Sequence, residues 1–376
     1  MSKKILFISE ASVYKDKNGF FHSKSGGASY VHNMAKSFSK KGFNVVVFSL
    51  KEFEEQNDEE VIDGVLYIRR FSINRGSFLM VKYLFFAFKM AFSYDIVFYN
   101  QFLPHLLLAL LFFKQNFVIF HDVYLNNKVW FNLFSKKKAY FASFLEYLQI
   151  KFASVFSKKI LVVSESTKFK IFKYLNNKSK TKVIVVSNTI NLKKYKTLKK
   201  ENFLLFVARF VNYKRPIDAI CVFKFLQNHH PDLKFKMVVT RKFDNVYLQV
   251  KQKINELSIK NLELLENLPE HSLLDLYSKA LVLIHPSVVE GQGIVVLEAL
   301  ASGTPVSAYD LPAYNGILIS GKNSELAKMN DLNALKKASL KILNNYSIYQ
   351  KNTLITLSKF DMKTFDKSIN DIIDYF

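Results

Sequence analysis

Cysteine is nearly absent: Cys221 stands alone, inside an apolar stretch. One thiol can build neither a disulfide framework nor a zinc site, and it fits a reducing compartment. A bilayer-spanning run is missing too. The most apolar segment, 102–113, is interrupted by Pro104 and His105 and closed by Lys114, well short of the roughly 20 residues a span requires. The opening MSKKILFISE has an apolar run too short for a signal peptide, so a strand is expected there. No repeat at solenoid periods is evident. Acid is scarce, with 31 Asp and Glu against 54 Lys and Arg, a formal charge of +23. Such a surplus attracts polyanions, whether nucleic acid, anionic lipid or phosphorylated substrates; it speaks of partners and not of fold.

At 376 residues, nearly half of them apolar, the chain has material for two cores. Strand-like runs alternate with helical patterns. ILFIS (5–9) precedes a polar loop, a helical stretch from Ala28 to Lys41, Gly42 in the position of a cap, and VVVFSL (45–50). Strand, helix, strand is a βαβ unit, and its repetition argues for parallel sheets covered by helices. Further strands are expected at DIVFY (95–99), FVIF (117–120), KILVVS (159–164) and VIVVS (183–187). A second series runs through FLLFVA (203–208), FKMVV (235–239), ALVLIHP (280–286) and PVSAY (305–309). Between the two series, Asn188 to Asn202 is Lys-rich with little apolar pattern, and is read as a linker. The fold class is therefore α/β, with two doubly wound, Rossmann-like domains.

Residues 281–306, LVLIHPSVVEGQGIVVLEALASGTPV, carry the most information. A buried strand ends at His285-Pro286, a loop holds Glu290-Gly291-Gln292-Gly293, and an apolar helix runs to Ser302, with Gly303 as its cap. Free backbone N–H groups at a helix N-terminus, beside the carboxyl end of a parallel strand, bind phosphate without a cationic side chain. Glycine at 291 and 293 lets a ligand approach the backbone. Glu298 lies among apolar helix residues, where a carboxylate needs a hydrogen-bonding partner. A pair of ribose hydroxyls would serve; the alternative is that Glu298 faces solvent and Gly-Gln-Gly is an ordinary turn.

A Glu, seven residues, then Glu-Ala, flanked by Pro-Ser and Gly-Thr-Pro-Val, resembles the donor site of the retaining glycosyltransferases of family four, which have the GT-B fold. The resemblance implies a nucleotide diphosphate sugar as donor, with catalytic Glu290 beside the donor sugar and Glu298 on the ribose. Phe206-Val207-Ala208-Arg209-Phe210 followed by Lys214 is similar to the family's Arg and Lys pair. Arg209 and Lys214, with Gly27, Gly291, Gln292 and Gly293, would then hold the donor diphosphate, whose negative charge grows as the glycosidic bond breaks. Gly26-Gly27-Ala28 looks like the family's glycine-rich loop, and His121-Asp122 resembles its His-Asp, with catalytic His121 near the reacting sugar. Val163 to Lys168 and Ser187-Asn188-Thr189 resemble architectural landmarks of the same family.

The likeness implies two domains facing a cleft, 1–190 on the acceptor side and 191–355 for the nucleotide sugar, with 356–376 a helix crossing back to the first domain. It implies a hexosyltransferase-type enzyme that retains anomeric configuration, with no cofactor and no metal. The sequence departs from the family where Ala208 and Arg215 replace glycines, and where SAYDLPAYNGILIS after Val306 lacks the usual Gly-Gly-x-x-Glu loop.

For the acceptor, residues 75–92 and 126–160 stand out; the latter stretch has seven Lys against one Glu, interleaved with aromatics from Trp130 to Phe156. Lysines meet anionic headgroups and rings settle at the interface, so an anionic membrane surface is the expected partner. A lipid-linked or polysaccharide acceptor follows, and a cytoplasmic protein peripheral on the inner face of the cell membrane, in polysaccharide biosynthesis. Other readings stay open: a sugar-nucleotide epimerase on the same fold, a catalytically inactive homologue, or a non-catalytic polyanion- or nucleic-acid-binding protein. The last leaves the Glu290–Glu298 pattern unexplained, and no nucleic-acid partner is expected.

Overall fold

A computed structural model describes every residue except 1–2, 17–18, 20, 23–24, 52–55, 73–75, 102–114, 126–128, 241–243 and 267. The apolar run 102–113 therefore lies outside the described residues. Chain contacts divide the molecule into two compact units. The first comprises 1–126, 136–189 and 363–376; the second comprises 127–135 and 190–362.

Among the described residues the first unit holds an eight-stranded sheet. Its strands are β1 (Lys4–Ser9), β4 (Asn44–Lys51), β5 (Glu59–Ile62), β6 (Val65–Ser72), β7 (Ile96–Asn100), β8 (Gln115–Phe120), β9 (Lys159–Val162) and β10 (Val183–Val185). A small hairpin, β2 (Tyr14–Lys15) and β3 (Phe21–His22), stands apart. The spatial order is β10-β9-β8-β7-β1-β4-β6-β5, all parallel save the edge pair β5–β6. That pair is a hairpin turning at Asp63-Gly64, and the sequence reading named no strand there. Its signal was present, because Asp-Gly between alternating residues is a strong hairpin mark.

Alternation along the strands explains why helices cover both faces. Leu6, Ile8, Val46, Phe48, Val97 and Tyr99 pack with Tyr83, Ala87, Ile150 and Ala153 of the helices Gly76–Ala91 and Lys136–Phe156. On the other face Phe7 stacks on Phe98 at 4.6 Å and meets Phe38 of the helix Gly26–Lys40. The C-terminal helix, Met362–Ile373, belongs to the first unit from Lys363 onward. It buries Phe365, Ile369 and Ile372, and Ser37 donates to Asp366 at 2.7 Å.

The second unit holds, among the described residues, six parallel strands in the order β13-β12-β11-β14-β15-β16. They are β11 (Phe203–Ala208), β12 (Lys234–Val239), β13 (Leu262–Glu266), β14 (Val282–His285), β15 (Val306–Tyr309) and β16 (Ser324–Ala327). Leu204 and Phe206 face one core, and Phe203, Leu205 and Val207 face another. Both units are thus doubly wound. The strand order reverses between β1 and β7 in the first and between β11 and β14 in the second. In such sheets ligands bind outside the carboxyl ends of the strands at that switch point.

The stretch read as a polar linker holds the boundary between the units, between Thr189 and Ile190, and residues 191–200 are mostly exposed, yet it is tied to the second unit. Ile190 is buried and pairs with Asp361, while the amides of Leu198 and Glu201 donate to the carbonyls of Ser278 and Lys279. Lys-rich composition hid this, because the contacts are made by backbone and by a few apolar side chains.

Candidate functional site

In the second unit, β11 ends at Ala208 and delivers Arg209, while β14 ends at His285 beside the switch point. The tight turn Asn212–Lys214 follows β11 and presents Lys214. Lys214 forms an ion pair with Glu290, and His285 Nε2 lies 2.8 Å from the same carboxyl oxygen. Burial pushes the Glu290 carboxyl up, but the charge of Lys214 and the hydrogen bond from His285 outweigh it and hold the group well below the usual carboxylate range. Glu290 is therefore an ionised, fixed acceptor, not a proton donor. Lys214, expected on the diphosphate, and Glu290, expected beside the sugar, are direct partners here. Arg209 Nη2 donates to Tyr213 at 2.6 Å.

Arg215, at a position where the family resemblance has glycine, adopts a left-handed φ of 53°. That is the conformation glycine supplies without strain. Its charge is engaged, since Nη2 donates to Asn330 at 2.6 Å and Nε lies 3.9 Å from Asp218.

The helix Ile294–Ala301 starts where expected, with Gly293 as its N-cap at φ 81°. Gly293 must be glycine for a second reason, because a Cβ there would stand 2.9 Å from the Tyr314 ring. The N–H groups of Ile294 and Val295 have no carbonyl within the helix to donate to. Gln292 is buried, and Gly291 lies half-buried ahead of it. The short loop after Val306 forms the turn Pro312–Tyr314 and packs Tyr314 against Gly293 and, at 6.1 Å between rings, against His285. Tyr314 OH and His285 Nδ1 are buried with no hydrogen-bond partner. Unpaired buried polar atoms beside a helix N-terminus mark a place that a ligand or water completes.

Glu298 is half-buried and does not rely on solvent. Tyr277 OH donates to Oε2 at 3.0 Å and Tyr195 OH to Oε1 at 3.4 Å. Burial pushes its carboxyl up to about 7. Tyr195, Tyr277, His285 and Tyr314 were not read as site residues. His285 had a signal, five positions before Glu290, but the tyrosines had none, since each reaches the site from another element.

In the first unit, Gly26 and Gly27 are not a loop. They are the first residues of the helix Gly26–Lys40, whose N-cap Ser25 accepts from Ala28 N at 3.1 Å. Glycine at 27 admits His121, whose Nε2 would lie 3.2 Å from a Cβ there. His121 follows β8, donates from Nε2 to Asn100 Oδ1 at 2.6 Å, and packs edge-on against Tyr30. Burial pushes its pKa down to about 4, so the ring is neutral near pH 7. Its loop is pinned on three sides. Gln101 Oε1 accepts from His121 N, Glu146 accepts from Tyr124 N, and Lys170 pairs with Asp122.

Of the stretch 126–160, residues 127–135 belong to the second unit and the helix Lys136–Phe156 to the first. That helix exposes Tyr140, Phe141, Phe144 and Tyr147 at helical spacing, preceded by exposed Lys136, Lys137 and Lys138. Glu146 and Gln149 are buried on its other side. The helix Gly76–Ala91 likewise exposes Phe85 and Phe86. Among the described residues no helix is long and apolar enough to cross a membrane, and no group of three His, Cys, Asp or Glu could hold a metal ion.

Two doubly wound units of this topology have the architecture of the GT-B glycosyltransferases. Sucrose-phosphate synthase from Thermosynechococcus elongatus superimposes with a TM-score of 0.80 at 17% identity, over 99% of this chain and 98% of that one. Anabaena HepE in complex with UDP and glucose does so with a TM-score of 0.78 at 15% identity, over the whole of both chains. Residues 170–354 match the model for glycosyl transferases group 1, and residues 24–194 match that for glycosyltransferase family 4. An uncharacterized glycosyltransferase of Methanocaldococcus jannaschii is 30% identical over 195 residues, 52% of each chain. The O-antigen chain mannosyltransferase RfbU of Salmonella typhimurium is 30% identical over 167 residues, 44% of this chain and 45% of its own. The chain thus spans about half the length of the curated relatives it matches. The fold and the two family matches together support a GT-B glycosyltransferase.

Proposed function

We propose that the protein is a retaining, hexosyltransferase-type glycosyltransferase that moves a sugar from a nucleotide diphosphate sugar to a glycan or lipid-linked acceptor. The observation that carries this reading is the grouping in the second unit: Glu290 fixed by Lys214 and His285 ahead of an open helix N-terminus, with Glu298 one turn further along. The helix N–H groups with Arg209, Lys214 and the backbone of 291–293 receive the diphosphate, and Glu298 accepts the ribose hydroxyls. As the bond from the anomeric carbon to the diphosphate breaks, these groups take up the developing charge without a metal. The acceptor hydroxyl attacks on the leaving-group face and its proton passes to the departing phosphate oxygen, which keeps the anomeric configuration. His121, neutral and oriented by Asn100, serves as a hydrogen-bonding group near the sugar, with Gly27 beside it.

The test is a thermal-shift titration with UDP, GDP, ADP and dTDP. At 100 times its dissociation constant a nucleotide stabilises by about 2.7 kcal/mol. One nucleotide is expected to stabilise, and Glu298→Ala and Arg209→Ala are expected to abolish the shift; no shift with any nucleotide sinks the reading. An inverted anomer in the product, seen by NMR, would remove retention alone.

The acceptor side rests on the helix Lys136–Phe156. Its exposed rings and lysines suit an anionic membrane surface, each Lys contributing about 1 kcal/mol toward anionic lipid. The protein would then work in polysaccharide biosynthesis from the cytoplasm, peripheral to the inner face of the membrane. Sedimentation with anionic vesicles at low salt, lost for Phe141→Ala/Phe144→Ala, is the expected result; equal binding to neutral vesicles, or none at all, counts against it.

A further inference from the structure

Glu298 is held by two hydroxyls that come from outside its own helix. Tyr277 reaches Oε2 from the helix Glu270–Lys279, and Tyr195 reaches Oε1 from the end of the turn Leu192–Lys194. Both phenols are deprotonated only well above their ordinary range, chiefly because they are buried, so both remain donors. A carboxylate has about four acceptor positions, two on each oxygen. One tyrosine on each oxygen fixes the plane of the group and leaves a second position on each, the spacing that a vicinal diol fits.

We propose that Tyr277 and Tyr195 are positioning residues that hold Glu298 to accept both ribose hydroxyls, and so set a preference for ribonucleotides over 2′-deoxyribonucleotides. The proposal rests on the reading that the second unit takes a nucleotide sugar.

The surrounding charges bear on how this preference depends on pH. Burial is the main reason that the Glu298 carboxyl is raised, and Glu270 adds to it; the hydrogen bonds from Tyr277 and Tyr195 and the charge of Lys194 act the other way. Lys194 and Glu270 pair with each other at 3.1 Å. The ionised form, which accepts both hydroxyls, therefore gains population as pH rises through about 7. Removing a tyrosine hydroxyl pushes that midpoint higher.

UDP, GDP and ADP are titrated calorimetrically from pH 6 to 8.5, and the tightest is compared with its 2′-deoxy form. Taking the ratio of the two dissociation constants cancels the titration of the diphosphate. Hydrogen bonds to a charged group predict a ratio of about 10–100 for the native protein at high pH. Tyr277→Phe is expected to lower it about tenfold and to move the midpoint of its pH profile upward. Tyr195→Phe should act in the same direction and less, because its contact is longer. Either variant binding with unchanged ratio and midpoint overturns the proposal. So does a loss that is equal for the two nucleotides and accompanied by a lower Tm, which is what a merely structural role would give. If dTDP alone binds the native protein, this inference fails by itself; if no nucleotide binds, the nucleotide-sugar reading fails first and takes this inference with it.

Discussion

Glu290 and Glu298 are eight positions apart, and burial opposes the charge of both. Lys214 and His285 reverse that effect for Glu290, whereas two neutral tyrosines do not for Glu298. Their contributions to stability run in opposite directions with pH. The depressed Glu290 carboxyl stabilises the fold above the ordinary carboxylate pKa of about 4.3, and that stability is lost as pH falls below it. Lys214→Ala strips a buried carboxylate of its cation and is expected to cost about 3–5 kcal/mol near pH 8, shrinking toward pH 4, in denaturant unfolding. The raised Glu298 carboxyl does the reverse. It carries no penalty below about pH 4.3, a growing one up to about 7, and a constant one above. Glu298→Gln should therefore stabilise by up to about 3 kcal/mol at pH 8 and by almost nothing at pH 4, while weakening nucleotide binding. Equal stability of the two proteins at pH 8 would show that the carboxylate is not penalised.

At the scale of elements, two glycines start two helices for different reasons. Gly293 is left-handed and faces the Tyr314 ring, so Gly293→Ala meets both backbone strain and a clash. The strain alone costs about 1–2 kcal/mol, and the displaced tyrosine should reduce nucleotide-induced stabilisation as well. Gly27 has ordinary helical geometry, and its substitution only crowds His121 by a few tenths of an ångström. Gly27→Ala should leave Tm within about 1 kcal/mol of native stability while lowering turnover, if His121 works at the sugar. A Gly27→Ala protein with full activity would remove His121 and its neighbour from the proposed machinery. The loop bearing His121 draws its rigidity from Gln101, Glu146 and Lys170, which come from three separate elements.

For the molecule as a whole, the C-terminal helix is part of the first unit's core although the second unit intervenes in the chain. Phe376 lies 5.4 Å from the Phe38 ring and 5.6 Å from those of Phe43 and Phe117. Ile369 is fully buried, and Ile369→Ala is expected to cost about 2–5 kcal/mol. Two units seldom unfold as one two-state system. Calorimetry should accordingly show that the substitution lowers the transition of the first unit, while a bound nucleotide still raises that of the second. A single transition lowered throughout would mean that the units unfold together. The charge of +23 adds self-repulsion, which salt should relieve.

Local pattern by itself determined the alternation of strands and helices, the two series of parallel strands, and the loop that puts Glu290, Gly293 and Glu298 around one helix. These are written in periodicity and in residues a few positions apart, and ILFIS, FLLFVA and the 281–306 stretch carry them openly. Only the tertiary structure decided which side chains meet. Lys214 finds Glu290 across 76 positions and Tyr195 finds Glu298 across 103. It also decided that 127–135 leaves the first unit, that the Lys-rich stretch after Ile190 is tied by its backbone to the second unit, and that Gly26 and Gly27 are helical. Contacts of that kind depend on the path of the chain through space, which no local spacing encodes.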